Sequence, residues 1–328
     1  MNGCTATDKP LISILMAVHE PRMDWLREQL CSLERQSYPA LELLICDDAS
    51  RSVTPEELRI CVSECVRSFP VTVERCEENL GSDAVFASLI GKAQGKYIAF
   101  CDQDDVWYPD KLARMEDTIR RTGARLVCSD MRIIDADGAP VADSITALRR
   151  HHVFRSGTGL TAWLWKSNFA SGCAMLVRTE DAKAALPLNP YMYYDHYIAL
   201  WAAAQGSIVS LPEPTLDHRE HGENQSSLLR GVNDRESYRR IRIEKRLNSL
   251  RWLSAHFPAD EPLRSVLPRA LAWMEARDAY FAGDRRAAKT LWKHRHFSRK
   301  ETLFELCSPL LPEKAFRRIV RMGQENRL

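Results

Sequence analysis

Continuous hydrophobicity is scarce in this 328-residue sequence. The longest nearly apolar run near its start, Leu11–Val18, contains Ser13 and falls far short of the roughly 20 residues that cross a bilayer. A secretory signal is not expected there, because one lysine precedes the run and His19 and Glu20 stand where a small-residue cleavage site belongs. Glycine and proline, at 14 and 16 residues, are too few for a fibrous or low-complexity chain. The ten cysteines lack a disulfide or zinc pattern. Cys46, Cys101 and Cys128 lie in or at the ends of apolar runs, where a thiol acts as a small hydrophobe. Cys61 and Cys65 have helical spacing and no second pair or histidine cluster to complete a metal site. Reduced thiols and a cytoplasmic location are the expectation.

What is present, 45% hydrophobic and 27% charged residues, is the composition of a soluble globular chain. Its length suits one large domain with an appendage, or two domains. The net charge of +2 conceals an asymmetry, with about −8 over residues 1–230 and about +10 over 231–328.

Leu11–Val18 reads as a buried strand, rich in Ile, Leu and Val. Trp25, Leu26, Leu30 and Leu33 make a helical stripe over 24–36. A second apolar run, Leu41–Cys46, ends at Asp47-Asp48, and Thr54-Pro55-Glu56-Glu57 opens a helix. Val71–Val73 is a short strand, and 82–94 a helix that Gly95 is expected to cap. Lys96–Cys101 is a strand running into Asp102-Gln103-Asp104-Asp105, followed by a helix over 109–121 and a strand over 125–129. Such alternation predicts an α/β fold, a mainly parallel sheet flanked by helices, with ligands bound beyond the carboxyl ends of its strands. From 136 to 169 the periodicity fades into loops; 171–177 and 207–211 read as strands and 193–205 as a helix. Residues 233–328 read as amphipathic helices, so the expected division is 1–232 and 233–328.

Two of these strands end in carboxylates, which repel one another and need a cation or a donor-rich ligand. Asp102 and Asp104, at i and i+2 on a loop leaving a strand, can share Mg²⁺ or Mn²⁺, whose other positions take phosphate oxygens and water. The same residues also fit a plain acidic turn before a helix. Asp48 can accept a hydrogen bond from a base or ribose, or belong to a solvated turn.

Five elements in order resemble glycosyltransferase family 2: Leu11–His19, Gln36-Ser-Tyr-Pro39, Asp47-Asp48-Ala-Ser50, Glu77-Glu-Asn79-Leu-Gly81 and Asp102-Gln-Asp104. Downstream, Ala170-Ser-Gly172-Cys and Tyr194-Asp195-His196 resemble the family's acceptor-side segment. Asp217-His218-Arg219-Glu-His221-Gly222-Glu-Asn224 is similar to a stretch of its bacterial rhamnosyltransferase-like members. The resemblance covers residues 11–230 and implies a GT-A fold with a C-terminal helical region added to it. It implies metal-dependent, inverting transfer of a sugar, rhamnose among the candidates, from a UDP- or dTDP-linked donor. The acceptor would be a hydroxyl of a glycan or lipid-linked carrier in bacterial surface polysaccharide synthesis. Nucleotide contacts are implied at Ala17, His19, Asp48 and Asp102, and a Mg²⁺ or Mn²⁺ site at Asp104, Asp102 and His221. Asp195 is implied as catalytic base, and Arg219, Gly172 and Asp105 on the diphosphate or acceptor side. Two departures stand out: His19 replaces a usual tyrosine, and Tyr194-Asp195-His196 replaces a common Glu-Asp.

A nucleotidyltransferase would use the same sheet and metal, but with a glycine-rich basic loop where this chain reads His19-Glu20-Pro21. A signalling module with a phosphorylated aspartate leaves Tyr194-Asp195-His196 unused. A catalytically inactive nucleotide- or glycan-binding relative stays open. In the basic tail, residues such as Trp252, Trp273, Tyr280 and Trp292 interleave with Arg and Lys. They suit either a packed helical region with a solvated basic face or peripheral contact with the inner face of the cell membrane. No recognition motif accompanies that charge, so nucleic acid is not an expected partner.

Overall fold

The apolar runs of the N-terminal half form the parallel heart of a nine-stranded sheet. The computed structural model describes residues 9–149, 152–221 and 231–324. Strand β1 (Ile12–Val18) pairs in parallel with β2 (Leu41–Asp47) on one side and β4 (Tyr97–Cys101) on the other, and β3 (Val71–Arg75) lies beyond β2. Helices α1 (Met23–Glu34), α2 (Pro55–Cys65) and α3 (Ser82–Lys92) connect these strands. Ile12, Ile14, Leu15 and Met16 are all fully buried, because helices cover a parallel sheet on both faces. The chain grows outward from β1 through β2 to β3, then returns to place β4 on the opposite side. That reversal opens a crevice at the carboxyl ends of β1 and β4. His19 leaves β1 there, and Asp102 leaves β4.

The remaining strands are β5 (Val106–Trp107), β6 (Leu126–Ile134), β7 (Pro140–Ala142), β8 (Met175–Arg178) and β9 (Ile208–Arg219), with α4 (Lys111–Thr122) after β5. The full order is β3-β2-β1-β4-β8-β6-β9-β5, with β7 on β6. The β4–β8, β8–β6 and β9–β5 pairs are antiparallel and β6–β9 is parallel, so the sheet is mixed in this outer half. Short helices α5 (Ile145–Leu148) and α6 (Thr161–Leu164) lie within the expected loops of 136–169. A 3₁₀ turn, Gly172–Ala174, precedes β8, and α7 (Thr179–Ala184) and α8 (Tyr194–Gln205) follow it.

Two expectations change. The strand expected over 207–211 runs on through Pro212 and Pro214 as a 12-residue β9. Proline cannot donate to the ladder, and the β6–β9 pairing absorbs it by shifting register between Ser129 and Arg132. This extra length carries Asp217, His218 and Arg219 to the crevice. Gly95 does not cap α3, whose C-cap is Ala93. It is glycine because the backbone entering β4 presses on β1: a Cβ there would lie 2.7 Å from both Leu11 O and Ser13 N.

The chain divides into two compact units, 1–188 with 193–221, and 189–192 with 222–328. The second unit contains helices α9 (Arg235–Tyr238), α10 (Lys245–His256), α11 (Glu261–Phe281), α12 (Ala288–Lys293), α13 (Arg299–Cys307) and α14 (Glu313–Gln324). Part of the stripe expected here is this unit's own core: Trp273 and Tyr280 are buried with Leu253 and Leu291, whereas Trp252 is half-buried and Trp292 exposed. At its centre, Arg277 donates to Glu305 (Nε to Oε2, 2.7 Å), and the Tyr238 hydroxyl donates to the same carboxylate at 3.0 Å. Among the described residues, no helix is long and apolar enough to cross a membrane.

Candidate active site

Beyond the carboxyl ends of β1, β2 and β3 lies a cavity of about 870 Å³, lined by His19, Glu20, Ala49, Arg51, Arg75 and Asn79 among others. Buried Asp47 shapes one wall, accepting from Ser50 N at 3.0 Å and pairing with Arg75 at 3.0 Å. Arg75 also donates to the carbonyls of Val53, at 3.1 Å, and Ser50, so it clamps the 47–53 loop. Glu20 (φ 44°) and Ala49 (φ 55°) are left-handed non-glycine residues in this wall. Such backbone costs free energy and persists only where its surroundings hold it. Here the Glu20 carboxylate accepts from Arg51 N (2.7 Å) and Ser52 N (2.9 Å), and Glu20 N donates to Ser50 Oγ (2.9 Å).

Asp48 is 3% exposed, and its carboxylate accepts from Leu80 N at 2.7 Å and Gly81 N at 2.8 Å. Those bonds tie the Asn79-Leu80-Gly81 stretch to the end of β2. His19 Nδ1 lies 2.9 Å from the Asp48 carbonyl, and Asn79 Nδ2 lies 3.1 Å from His19 Nε2. His19, Asp48 and Asn79 are therefore one linked wall. Ala17 lies half-buried on β1 in register with Cys46. Gln103, which the sequence offers only as a spacer between two acids, bridges the crevice. Its side-chain oxygen accepts from His19 N (2.9 Å) and its amide donates to His19 O (3.0 Å), docking the acidic loop onto β1.

Three acids follow β4 and meet different environments. Asp104 and His221 face one another, with Oδ2 and Nε2 2.8 Å apart, and the Trp25 ring packs 4.9 Å from the His221 ring. Asp105 is fully buried; its Oδ1 accepts from His218 Nδ1 at 2.9 Å and Arg219 N at 3.2 Å. Burial works to raise the Asp105 pKa, but the charge and hydrogen bond of His218 bring it below the ordinary value. Burial opposes charge on His218 as well, yet the carboxylates of Asp105, Asp102 and Asp104 push it up to about 9. Asp102 and Asp104 are both held above the ordinary carboxylate value, first by burial and next by the charge of Asp105. Lys111, which the sequence reading passed over, is fully buried below this group over the Trp107 ring and donates to the Cys173 carbonyl. Burial lowers its pKa to about 8.

Arg219, implied on the diphosphate or acceptor side, is held inward in the structure. The residue is 2% exposed, and its guanidinium donates to Asp104 O (3.0 Å), Ala136 O (3.3 Å) and Glu28 (2.5 Å). A planar donor committed to backbone carbonyls on two loops is a brace for the acidic loop. Gly222 and Asn224 of the same stretch lie outside the described residues.

Asp195 opens α8. Its carboxylate accepts from His196 N at 2.6 Å and Gly172 N at 3.2 Å. Burial pushes its pKa up to about 6, against those two hydrogen bonds. Asp195 in turn is the last of the charges that raise Asp102, after burial, Asp105 and Asp104. Gly172 is required by close approach: a Cβ there would lie 2.1 Å from the Tyr194 hydroxyl. Tyr194 cannot retreat, since it packs on Phe86 and Phe100 with ring centroids 4.2 and 5.0 Å away and its N–H donates to Asp83. Gly172→Ala is expected to cost about 1–3 kcal/mol by overpacking. A urea unfolding midpoint equal to wild type would contradict that reading.

Among the described residues, Asp105, Cys173 and His218 form the one group of three metal-ligating side chains whose ligand atoms all lie within 4.8 Å of one another. The 2.9 Å Asp105–His218 contact occupies much of its capacity. The Asp104–His221 pair, beside Asp102, is the half-open alternative.

A doubly wound sheet with acids at its switch point is the arrangement of a GT-A fold. The family profile described as glycosyl transferase family 2 matches residues 13–185. The chain belongs to that family. It is 30% identical over 139 residues to TuaG of Bacillus subtilis, which carries the name of a teichuronic acid biosynthesis glycosyltransferase; the match covers 42% of this chain and 54% of TuaG. It is 27% identical over 213 residues to an uncharacterized protein of Mycobacterium tuberculosis, covering 63% of this chain and 58% of that one. The chain thus spans less than two thirds of these relatives. Among solved structures, Staphylococcus aureus TarS 1–349 in complex with UDP-GlcNAc superposes with TM-score 0.58 at 16% identity, covering 97% of this chain and 88% of that one. The mannosyltransferase PcManGT from Pyrobaculum calidifontis, in complex with GDP-Man and Mn²⁺, gives TM-score 0.55 at 16% identity over the same shares. These likenesses are of fold.

Proposed function

We propose that the chain is a metal-dependent, inverting glycosyltransferase taking a UDP- or dTDP-linked sugar, rhamnose among the candidates. The acceptor is a hydroxyl of a glycan or carrier-linked glycan in bacterial surface polysaccharide synthesis. One observation carries the reading: Gln103 docks the loop of Asp102 and Asp104 onto His19 in the cavity wall. TarS with UDP-GlcNAc and the name of TuaG support a uridine-type donor and a surface-polymer acceptor.

In this reading the cavity beside Ala17, His19 and Asp48 receives the nucleoside. Asp104 and His221, with Asp102 beside them, would hold a divalent ion once the 2.8 Å contact between carboxylate and imidazole parts, and that donor set suits Mn²⁺. When bound, the cation offsets the negative charge that develops on the leaving diphosphate. Asp195 takes the proton of the acceptor hydroxyl, oriented by the N–H groups of Gly172 and His196. Attack from the face opposite the leaving group inverts the anomeric carbon. Asp105 and Arg219 act one layer behind, as positioning residues. Catalysis is assigned to 1–232 and an accessory role to 233–328. On α14, Lys314, Arg317, Arg318 and Arg321 are exposed while Phe316 and Val320 are buried, a basic face suited to the anionic inner surface of a cell membrane.

A thermal-shift screen of UDP, dTDP and GDP, each with Mn²⁺ or EDTA, tests the donor reading. A ligand at 100 times its Kd stabilises the native state by about 2.7 kcal/mol. The expected result is a raised midpoint with UDP or dTDP that needs Mn²⁺. No shift with any nucleotide would overturn it.

A further inference from the structure

We propose that Cys46 and Cys76, next to residues that line the cavity, form a reversible disulfide, with a low-molecular-weight disulfide as oxidant. The two Sγ atoms are 3.4 Å apart. Cys46 lies on β2 opposite Glu74, and Cys76 immediately follows β3 and donates its N–H to Asp47 O at 2.8 Å. A disulfide has its sulfurs about 2.05 Å apart, so closure asks for roughly 1.4 Å of sulfur movement between strands already joined.

The two thiols differ in access. Cys76 is half-buried, whereas Cys46 is buried and desolvation keeps its thiol protonated. Oxidation therefore starts at Cys76. Its thiolate attacks one sulfur of the small disulfide, forming a mixed disulfide and releasing one small thiolate. The Cys46 sulfur, giving up its proton, then attacks the Cys76 sulfur and releases the second small thiol. Two protein thiols are oxidised and one small disulfide is reduced to two thiols.

The consequence follows from the neighbours. Cys76 lies between Arg75 and Glu77, both of which line the cavity, and Arg75 clamps the 47–53 loop through Asp47, Ser50 and Val53. Drawing Cys76 toward β2 shifts that clamp. The effect on donor binding rests on the proposed function; the bond itself does not.

The test exposes the full chain to oxidised glutathione, blocks free thiols and maps the peptides. The expected result is a Cys46–Cys76 linked peptide, with two fewer alkylatable thiols, reversed by dithiothreitol and missing from Cys46→Ser and Cys76→Ser. Amide hydrogen exchange over 47–53 and 74–79 should slow in the oxidised wild type and stay unchanged in treated Cys76→Ser. Full alkylation of both cysteines after oxidation would overturn the proposal, as would a cross-link that leaves exchange unaltered. UDP titration separates the two readings. Weaker UDP binding after oxidation supports the switch, and equal binding to both forms contradicts it. Failure of UDP to bind the reduced chain counts against the donor reading alone, because peptide mapping and exchange judge the disulfide without it.

Discussion

Asp195→Asn is expected to slow sugar transfer by ~10²–10⁴-fold, the range for loss of a positioned general base. An acceptor hydroxyl is a weak nucleophile at neutral pH, and asparagine keeps the shape and much of the hydrogen bonding of aspartate without accepting the proton. Gly172 N and His196 N donate to different oxygens of Asp195, so asparagine keeps one of the two bonds; because Asp195 does not line the cavity, nucleotide affinity should still be nearly unchanged. Measuring kcat together with UDP affinity separates this from a structural role, in which binding falls alongside turnover. The pH profile supplies the sign. Asp195 titrates near 6 because burial disfavours its charge, and only the ionised form can take a proton. The wild-type rate should therefore rise with pH through about 6 and level off above it. A rate that falls over the same interval would assign Asp195 the opposite role, that of an acid.

Asp104→Ala should cost about 10³-fold in turnover, or roughly 4 kcal/mol of transition-state stabilisation. It should also abolish Mn²⁺ binding measured calorimetrically in the presence of UDP. The substitution removes one partner of the 2.8 Å Asp104–His221 pair and leaves the buried Asp105–His218 pair in place. The fold should therefore survive, which an unchanged far-ultraviolet circular dichroism spectrum would check. Retained Mn²⁺ affinity in the variant would move the metal away from this aspartate.

The parallel half of the sheet was legible because its strands are short apolar runs ending at acids, and a parallel strand needs no partner-specific pattern to be recognised. The outer half was less so. β9 passes through two prolines, and only pairing with β6 explains why the strand continues. Gly95 looked like a helix cap because the β1 backbone that crowds it lies more than 80 residues away in sequence. The positions of Asp48, Asp102 and Asp104 just past strand ends were legible, but the separate environments of the acids after β4 were not. Asp104 and Asp105 are adjacent in sequence, yet one meets His221 near the crevice and the other is sealed against His218, 113 residues away. The same distance hid the bonds of Arg219 to Asp104 O and Ala136 O, since only the resemblance of its stretch spoke for its place. Gln103 gave no signal beyond filling the middle of Asp-x-Asp. Its function depends on the β1 backbone lying beside β4.

The central claim is spatial: the nucleoside cavity and the acids at 102, 104 and 195 serve one donor. A crystal structure of the chain grown with UDP and Mn²⁺, with anomalous data collected at the manganese edge, tests it most directly. The account predicts a manganese peak bonded to the Asp104 carboxylate and to the diphosphate, with uracil in the cavity between Ala49 and Asn79. Nucleotide bound away from β1 and β4, or manganese seated on Asp105, Cys173 and His218, would contradict it.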